Sequence, residues 1–137
     1  MSEEISEPPI EAVPQIRRPK YLNLFEIRLP LPGLLSILHR ISGFALFLAI
    51  PGLLWLLQSS LASTDSFVRY REAIAHPLVK LMLIGLLWAF LHHLFAGLRF
   101  LLMDMHVGVQ LEAARRNSAV VIVAAVVLTI IGGIWLW

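Results

Sequence analysis

The chain has 137 residues and a formal net charge of +2, with 58% hydrophobic residues, 15% charged residues and no cysteine. A soluble domain carries about 25% charged residues, and a domain this short leaves much of its surface exposed, so the apolar excess is expected to face lipid. The lack of cysteine excludes disulfides and thiolate ligands for iron–sulfur clusters or zinc on this chain. The small net charge gives no electrostatic basis for binding nucleic acid.

Residues 1–20 contain four prolines and four glutamates and are predicted to form a flexible polar tail. The tail lacks the basic and then apolar pattern of a signal peptide and the arginine-rich, serine-rich composition of a transit peptide. A bacterial or already processed protein fits this best. Residues 21–33 alternate apolar and polar side chains, which indicates an interfacial or partner-docking segment.

The rest of the chain, residues 34–137, is predicted to be an all-α membrane domain. A helix needs about 20 mostly apolar residues to cross the hydrocarbon core. Three stretches meet this requirement, at about 34–57, 78–103 and 118–137. Pro51 lies inside the first stretch, where a membrane helix tolerates a kink, and Pro77 is expected to open the second helix. The connections between the spans are read as polar linkers, the second of which could continue as helix.

The distribution of lysine and arginine predicts the orientation in the membrane. Eight of these residues lie on the N-terminal side or near the second connection, three lie near the first connection and none lies at the C-terminus. Because cytoplasmic loops carry the excess of Lys and Arg, the N-terminus is expected in the cytoplasm and the C-terminus on the periplasmic side.

A first polar cluster, SILHRISG, begins at Ser36 in the first span. Ser36 and Arg40 are four residues apart and share a helix face, while His39 and Gly43 share the neighbouring face. Ionisable groups inside a membrane helix are costly and suggest function. The alternative is that Arg40 reaches the headgroups and His39 caps or pairs locally.

A second cluster, HHLFAGLRF, lies in the second span. His93, Ala96, Gly97 and Phe100 form one stripe, and a histidine beside two small residues leaves room for a flat macrocycle. The alternative is that the histidine only forms a hydrogen bond to a neighbouring helix.

His92 precedes this stripe and is rotated by about 100° from His93, so both histidines cannot bind one iron from the same helix. No ligand role is assigned to it. Arg99 and Asp104 are five residues apart and are interpreted as a local ion pair.

The two clusters are expected at similar membrane depth. His39 is about five residues inside the first span and His93 about ten residues from the exit of the second, a difference of about 8 Å along a helix. A haem between them could have His93 on its iron and His39 and Arg40 on its propionates.

The paired motifs S-x-x-H-R-x-S-G and H-x-x-x-G-[IL]-R-x-x-x-x-D closely resemble those of the larger cytochrome b membrane-anchor subunit of bacterial succinate:quinone oxidoreductase, also called complex II. The resemblance covers roughly residues 18–137 and includes the three-helix layout. Each motif alone would be weak, whereas the combination is specific.

The resemblance implies a role for each matching residue. His93 corresponds to the haem b ligand, His39 to the histidine near a propionate, and Ser36 and Arg40 to the residues that line the quinone site. Arg99 and Asp104 are regarded as structural. Many relatives have a histidine where this chain has Phe100, which removes one polar contact to haem and leaves the ligand assignment intact.

The implied protein is one subunit of an enzyme, without a complete active site of its own. A flavoprotein and an iron–sulfur subunit would deliver electrons from succinate to ubiquinone, and a smaller anchor subunit would provide the second axial histidine, all at the bacterial inner membrane. Two alternatives remain: the anchor of a menaquinol fumarate reductase, and a haem-free structural anchor or small transporter subunit.

Overall fold

The computed structural model describes residues 29–137, which form four helices. They are α1 (Leu31–Ala62), α2 (Thr64–Ala75), α3 (Pro77–Asp104) and α4 (Leu111–Leu136). Helices α1, α3 and α4 are long and apolar enough to cross a membrane, which confirms the predicted all-α membrane fold with three spans. The predicted tail and residues 21–28 of the interfacial segment lie outside the described residues.

Helix α1 is longer than the predicted span at both ends. It begins at Leu31, directly after Pro30 in extended conformation, and therefore includes residues 31–33 of the predicted interfacial segment. Pro51 lies inside this helix without interrupting it. Since proline has no N–H group, the backbone carbonyl four residues earlier loses its usual helical partner, which membrane helices tolerate.

Helix α2 occupies the connection that was read as a polar linker. Ser63 and Ser66 form a reciprocal capping box: the Ser63 hydroxyl accepts from the Ser66 N–H, and the Ser66 hydroxyl accepts from the Ser63 N–H. The helix packs against α1 and α3. It ends before His76, and α3 then begins at Pro77, as the sequence predicted.

Helices α3 and α4 are antiparallel and pack through small side chains. The buried residues of the two helices include Ala89 and Ala96 of α3 and Ala114, Ser118 and Ala125 of α4. Small residues let membrane helices approach closely. The hydroxyls of Ser118 and Thr129 donate to backbone carbonyls one turn earlier in α4, so neither is left without a partner.

A tight turn connects α3 to α4. Its backbone hydrogen bonds, from His106 to Met103 and from Val107 to Leu102, form the double closure of a Schellman motif. His106 has a positive φ of 62°, and Gly108 follows with a φ of 74°. A Cβ on Gly108 would also lie 2.6 Å from the amide nitrogen of Asn117, so this position requires glycine.

Contacts between the helices define two ends of the bundle. The histidine end contains the start of α1, the end of α3 and the α3–α4 turn. At the opposite end Lys80 donates a hydrogen bond of 3.1 Å to the backbone oxygen of Trp137 and lies over its ring. A cavity of about 570 Å³ between α1, α2 and α3 lies near this opposite end, away from the histidines, and its lining is mainly apolar.

Candidate functional site

The site is centred on two histidines that α1 and α3 bring face to face. The imidazoles of His39 and His93 are stacked, with ring centroids 4.1 Å apart and an interplanar angle of 6°. Since His39 lies near the start of α1 and His93 near the end of the antiparallel α3, the predicted match in depth is confirmed.

The hydrogen bonds of His93 fix which ring nitrogen carries the proton. Its Nδ1 lies 3.0 Å from the backbone carbonyl oxygen of His39 and 3.4 Å from the Ser42 hydroxyl. The same carbonyl accepts a hydrogen bond of 2.9 Å from that hydroxyl. Because a carbonyl can only accept, Nδ1 must be the protonated nitrogen, which leaves the Nε2 lone pair of His93 free.

Gly43 lets the two helices come this close, whereas a Cβ at Gly97 would be at ordinary contact distance. A Cβ built on Gly43 would lie 2.6 Å from Cε1 of His93, a distance that real Cβ atoms do not show. Gly97 lies beneath His39, with 3.5 Å between its built Cβ and Nε2 of that ring. Ala96, which the sequence placed on the same stripe as His93, is instead fully buried in the core with Leu35.

Phe100 closes the histidine stack on the side of His39. The two rings meet edge to face at 5.2 Å. Phe100 thus makes an aromatic contact to the imidazole of His39.

His92 is separated from this arrangement. It is fully buried, its ring stacks on Trp88 at 5.2 Å, and neither ring nitrogen has a hydrogen-bond partner in the described part of the chain. A ring enclosed in this way leaves no space for a macrocycle, which supports the assignment of no ligand role to His92.

Ser36 and Arg40 lie on the adjacent face of α1, one turn apart. Ser36 is half-buried and Arg40 is exposed. Within residues 29–137, neither side chain forms a hydrogen bond or an ion pair. Toward this part of the chain, the hydroxyl and guanidinium donors are unpaired beside the histidine stack.

The predicted ion pair between Arg99 and Asp104 is not formed among the described residues. Asp104 is exposed, whereas Arg99 is directed into the α3–α4 interface and is only 6% exposed. Its Nη2 donates a long hydrogen bond of 3.4 Å to the Ala114 carbonyl, and its guanidinium lies 5.6 Å from the Phe100 ring. A separation of five residues places two helical side chains on different faces, so the pair does not meet.

The residues present fit a haem. In residues 29–137 no three His, Cys, Asp or Glu side chains cluster as an isolated metal ion would require. A haem iron needs only axial ligands from the protein, and neutral imidazole is a common one. A metal approaches Nε2 of His93 in the plane of the ring, whereas His39 covers its face, so the stack does not block ligation.

The fold and the site define the class of protein: an integral membrane protein with three spans and a histidine pair between two of them. Residues 14–132 match the family described as succinate dehydrogenase/fumarate reductase transmembrane subunit. The chain belongs to this family, which confirms the resemblance drawn from the two motifs.

Several relatives share most of their length with this chain, and each is named a succinate dehydrogenase cytochrome b556 subunit. The relative from Coxiella burnetii is 37% identical over 122 residues, which is 88% of this chain and 98% of the relative. The relative from Paracoccus denitrificans is 35% identical, covering 83% and 88% of the two chains, and that from Rickettsia felis is 31% identical, covering 84% and 90%.

Proposed function

We propose that the chain is the cytochrome b membrane anchor of a bacterial succinate:ubiquinone oxidoreductase, and that it holds half of a haem b site and part of the ubiquinone site. Membership of the family and the names of the relatives support the membrane subunit of succinate dehydrogenase. The hydrogen bond from His93 Nδ1 to the backbone of α1 carries the haem part of the proposal, because it presents Nε2 as a ligand.

On the haem side, His93 would hold the iron through Nε2, and His39 and Arg40 would contact the propionates. Gly97, a small residue, would lie against the cofactor beside the His39 ring, whose Nε2 lies 3.5 Å from the built Cβ. A hydrogen bond at the other nitrogen orients a ligating imidazole and raises its basicity, which is the role of the His39 carbonyl. The bound haem would supply one-electron chemistry. The smaller anchor subunit would hold the same iron with a histidine of its own.

On the quinone side, the Ser36 hydroxyl and the Arg40 guanidinium donate hydrogen bonds to one quinone oxygen. Negative charge develops on that oxygen as the quinone is reduced, and donors already in place stabilise it. The electrons come from succinate through the flavoprotein and iron–sulfur subunits. This chain therefore binds and orients the quinone, while the flavin chemistry belongs to another subunit.

The membrane location follows from the spans and the charge distribution. We place the protein in the bacterial inner membrane with the N-terminus and the histidine end on the cytoplasmic side. Arg115 and Arg116 are exposed at the start of α4, beside that end, which agrees with the excess of basic residues expected there.

The haem assignment is tested by substituting the two neighbouring histidines in the complete complex. His93→Ala should abolish the haem b band in the reduced-minus-oxidised spectrum, while His92→Phe should retain it, because His92 is enclosed in the core. A band that survives His93→Ala, or one that disappears only in His92→Phe, would contradict the ligand assignment. The absence of any haem band in the wild-type complex would identify the haem-free alternative.

The quinone assignment is tested with Arg40→Ala and Ser36→Ala. Loss of one donor to a developing oxyanion costs about 10²–10³ in rate, so ubiquinone reduction should fall by about 100-fold in Arg40→Ala. Succinate oxidation with an artificial acceptor should not change. Arg116→Ala, which removes an exposed cation near the same end, serves as the control. Equal losses with both acceptors would overturn the assignment, and faster turnover with menaquinol and fumarate would identify the fumarate reductase alternative.

A further inference from the structure

Arg99 is a buried cation that the described part of the chain does not compensate. It is only 6% exposed, its Nε has no hydrogen-bond partner, and its Nη2 makes a single long bond to the Ala114 carbonyl. Charged groups within membrane spans are costly, and they persist where another group satisfies them. The geometry therefore calls for an acceptor that is not part of this helix pair.

A cavity of about 400 Å³ lies beside this guanidinium, between α3 and α4. Arg99 and Asn117 are the polar residues of its lining, and the other walls are apolar: Phe95, Leu98, Leu102, Val107, Val120, Val121 and Ala124. The cavity thus combines two groups of hydrogen-bond donors with a hydrocarbon surface, which is the pattern of a site for an amphiphile.

The cavity lies close to the membrane surface at the histidine end. Arg99 is five residues before the end of α3 and Asn117 is six residues after the start of α4, which corresponds to about 8–9 Å along each helix. Two exposed arginines, Arg115 and Arg116, directly precede Asn117. This is the depth at which lipid headgroups give way to acyl chains, and basic residues attract anionic lipids there.

The cavity opens on the side of α3 that faces away from the haem. At 100° per residue, Leu98 and Leu102 are about 140° and 180° around the helix from His93. The smaller anchor subunit must meet the His93 face to provide its ligand, a step that rests on the proposed function. The cavity lies on the opposite face of α3 from that contact, which favours a lipid over a side chain of the smaller anchor subunit as the occupant.

We propose that this cavity binds an anionic phospholipid through its phosphate group. The Nη–H groups at the end of the Arg99 guanidinium donate to the phosphate oxygens, and the Asn117 amide provides a further donor. The first part of an acyl chain lies along Leu98, Leu102 and Val120. The lipid thereby joins α3 to α4 next to the turn that closes the histidine end.

The test uses the complete complex purified in detergent, with Arg99→Gln, Arg99→Lys and the control Arg71→Gln, which removes an exposed arginine in α2 at the opposite end of the bundle. Native mass spectrometry and phosphorus analysis count the phospholipids retained. The wild-type and Arg71→Gln complexes should retain one more phospholipid per anchor than Arg99→Gln, with Arg99→Lys between them. After delipidation, phosphatidylglycerol should raise the unfolding temperature of the wild type but not of Arg99→Gln.

Three outcomes would overturn the proposal. Equal lipid retention in all variants would remove the role of Arg99. Stabilisation by inorganic phosphate equal to that by phosphatidylglycerol would identify a free-phosphate site. A delipidated wild type as stable as the original, with Arg99→Gln less stable than both, would identify a protein group as the acceptor.

A second measurement, on the wild type alone, tests the proposal even if the Arg99 variants fail to assemble. Delipidated wild type is titrated with phosphatidylglycerol and with diacylglycerol, which lacks the phosphate, and equal stabilisation by the two lipids would also contradict the proposal. The haem spectrum is recorded in every sample. Arg99→Gln should keep its haem band, so the loss of the lipid and a failure of the haem assignment are distinguished in one preparation.

Discussion

At the scale of single residues, the site depends on how closely two helices approach. The sequence predicted the depth of His39 and His93 correctly because depth follows from counting residues along a helix. It did not predict that their rings stack, or that the His39 carbonyl accepts a hydrogen bond from His93 Nδ1–H. Those features depend on how α1 is rotated against α3. The close contact of Gly43 with His93 constrains this rotation, and the spacing of residues along the chain does not encode it.

Gly43→Ala should therefore disturb the site directly. The new methyl group would lie 2.6 Å from Cε1 of His93, so the imidazole or the whole of α1 must move. Overpacking of this kind costs about 1–3 kcal/mol, and we expect a lower haem content and a lower unfolding temperature of the complex. Gly52→Ala is the matched control in the same helix, because nothing lies within 4 Å of its built Cβ. Similar effects of both substitutions would show that the contact with His93 is not the cause.

At the scale of helices, the hydropathy pattern located the spans but not their ends. Helix α4 begins at Leu111, seven residues before the predicted span, and α1 ends at Ala62, five residues after its predicted limit. The reason is that hydrophobicity reports the part of a helix in the hydrocarbon core, whereas hydrogen bonding continues into the headgroup region. Helix α2 was missed because it is short and polar, and because its capping box uses Ser66 in place of the more usual glutamate or glutamine.

The capping box predicts how α2 responds to substitution. Ser63→Ala removes the acceptor for the Ser66 N–H, and loss of an N-cap costs about 1 kcal/mol. Amide hydrogen exchange in residues 64–75 should then be about fivefold faster, since local opening becomes that much more frequent. Ser59→Ala, at a half-buried serine near the end of α1, should leave this exchange unchanged. Unchanged exchange in Ser63→Ala would show that packing on α1 and α3 alone maintains α2.

At the scale of the whole molecule, the chain buries few large side chains by itself. Leu35 and His92 are the largest fully buried ones within the described residues, while Phe44, Phe47 and Trp55 are each at least 65% exposed. The fold class could be predicted because long apolar segments have one stable solution in lipid. The partner surfaces could not be predicted, because lipid and a neighbouring apolar helix favour the same side chains.

The proposed orientation can be tested with single cysteines, since the sequence contains none. Glu72→Cys in α2 and Glu112→Cys in α4 replace exposed residues at opposite ends of the bundle. In intact spheroplasts a membrane-impermeant maleimide should label Glu72→Cys at least tenfold more than Glu112→Cys, a difference that permeabilisation should remove. The reverse pattern would place the histidine end on the periplasmic side.

The acceptor for the His93 Nδ1–H is a backbone carbonyl. The tautomer of His93 therefore does not depend on which side chain occupies position 39, as it would if that side chain were the acceptor. No substitution of the His39 side chain removes the acceptor, because every amino acid keeps its carbonyl. A His39 variant therefore changes the ring stack and the charge near the propionates, while the tautomer of the ligand is retained. Substitutions at position 39 can thus alter the surroundings of the haem without altering the identity of the ligating nitrogen. The contributions of the ring stack and of the ligand can be measured separately.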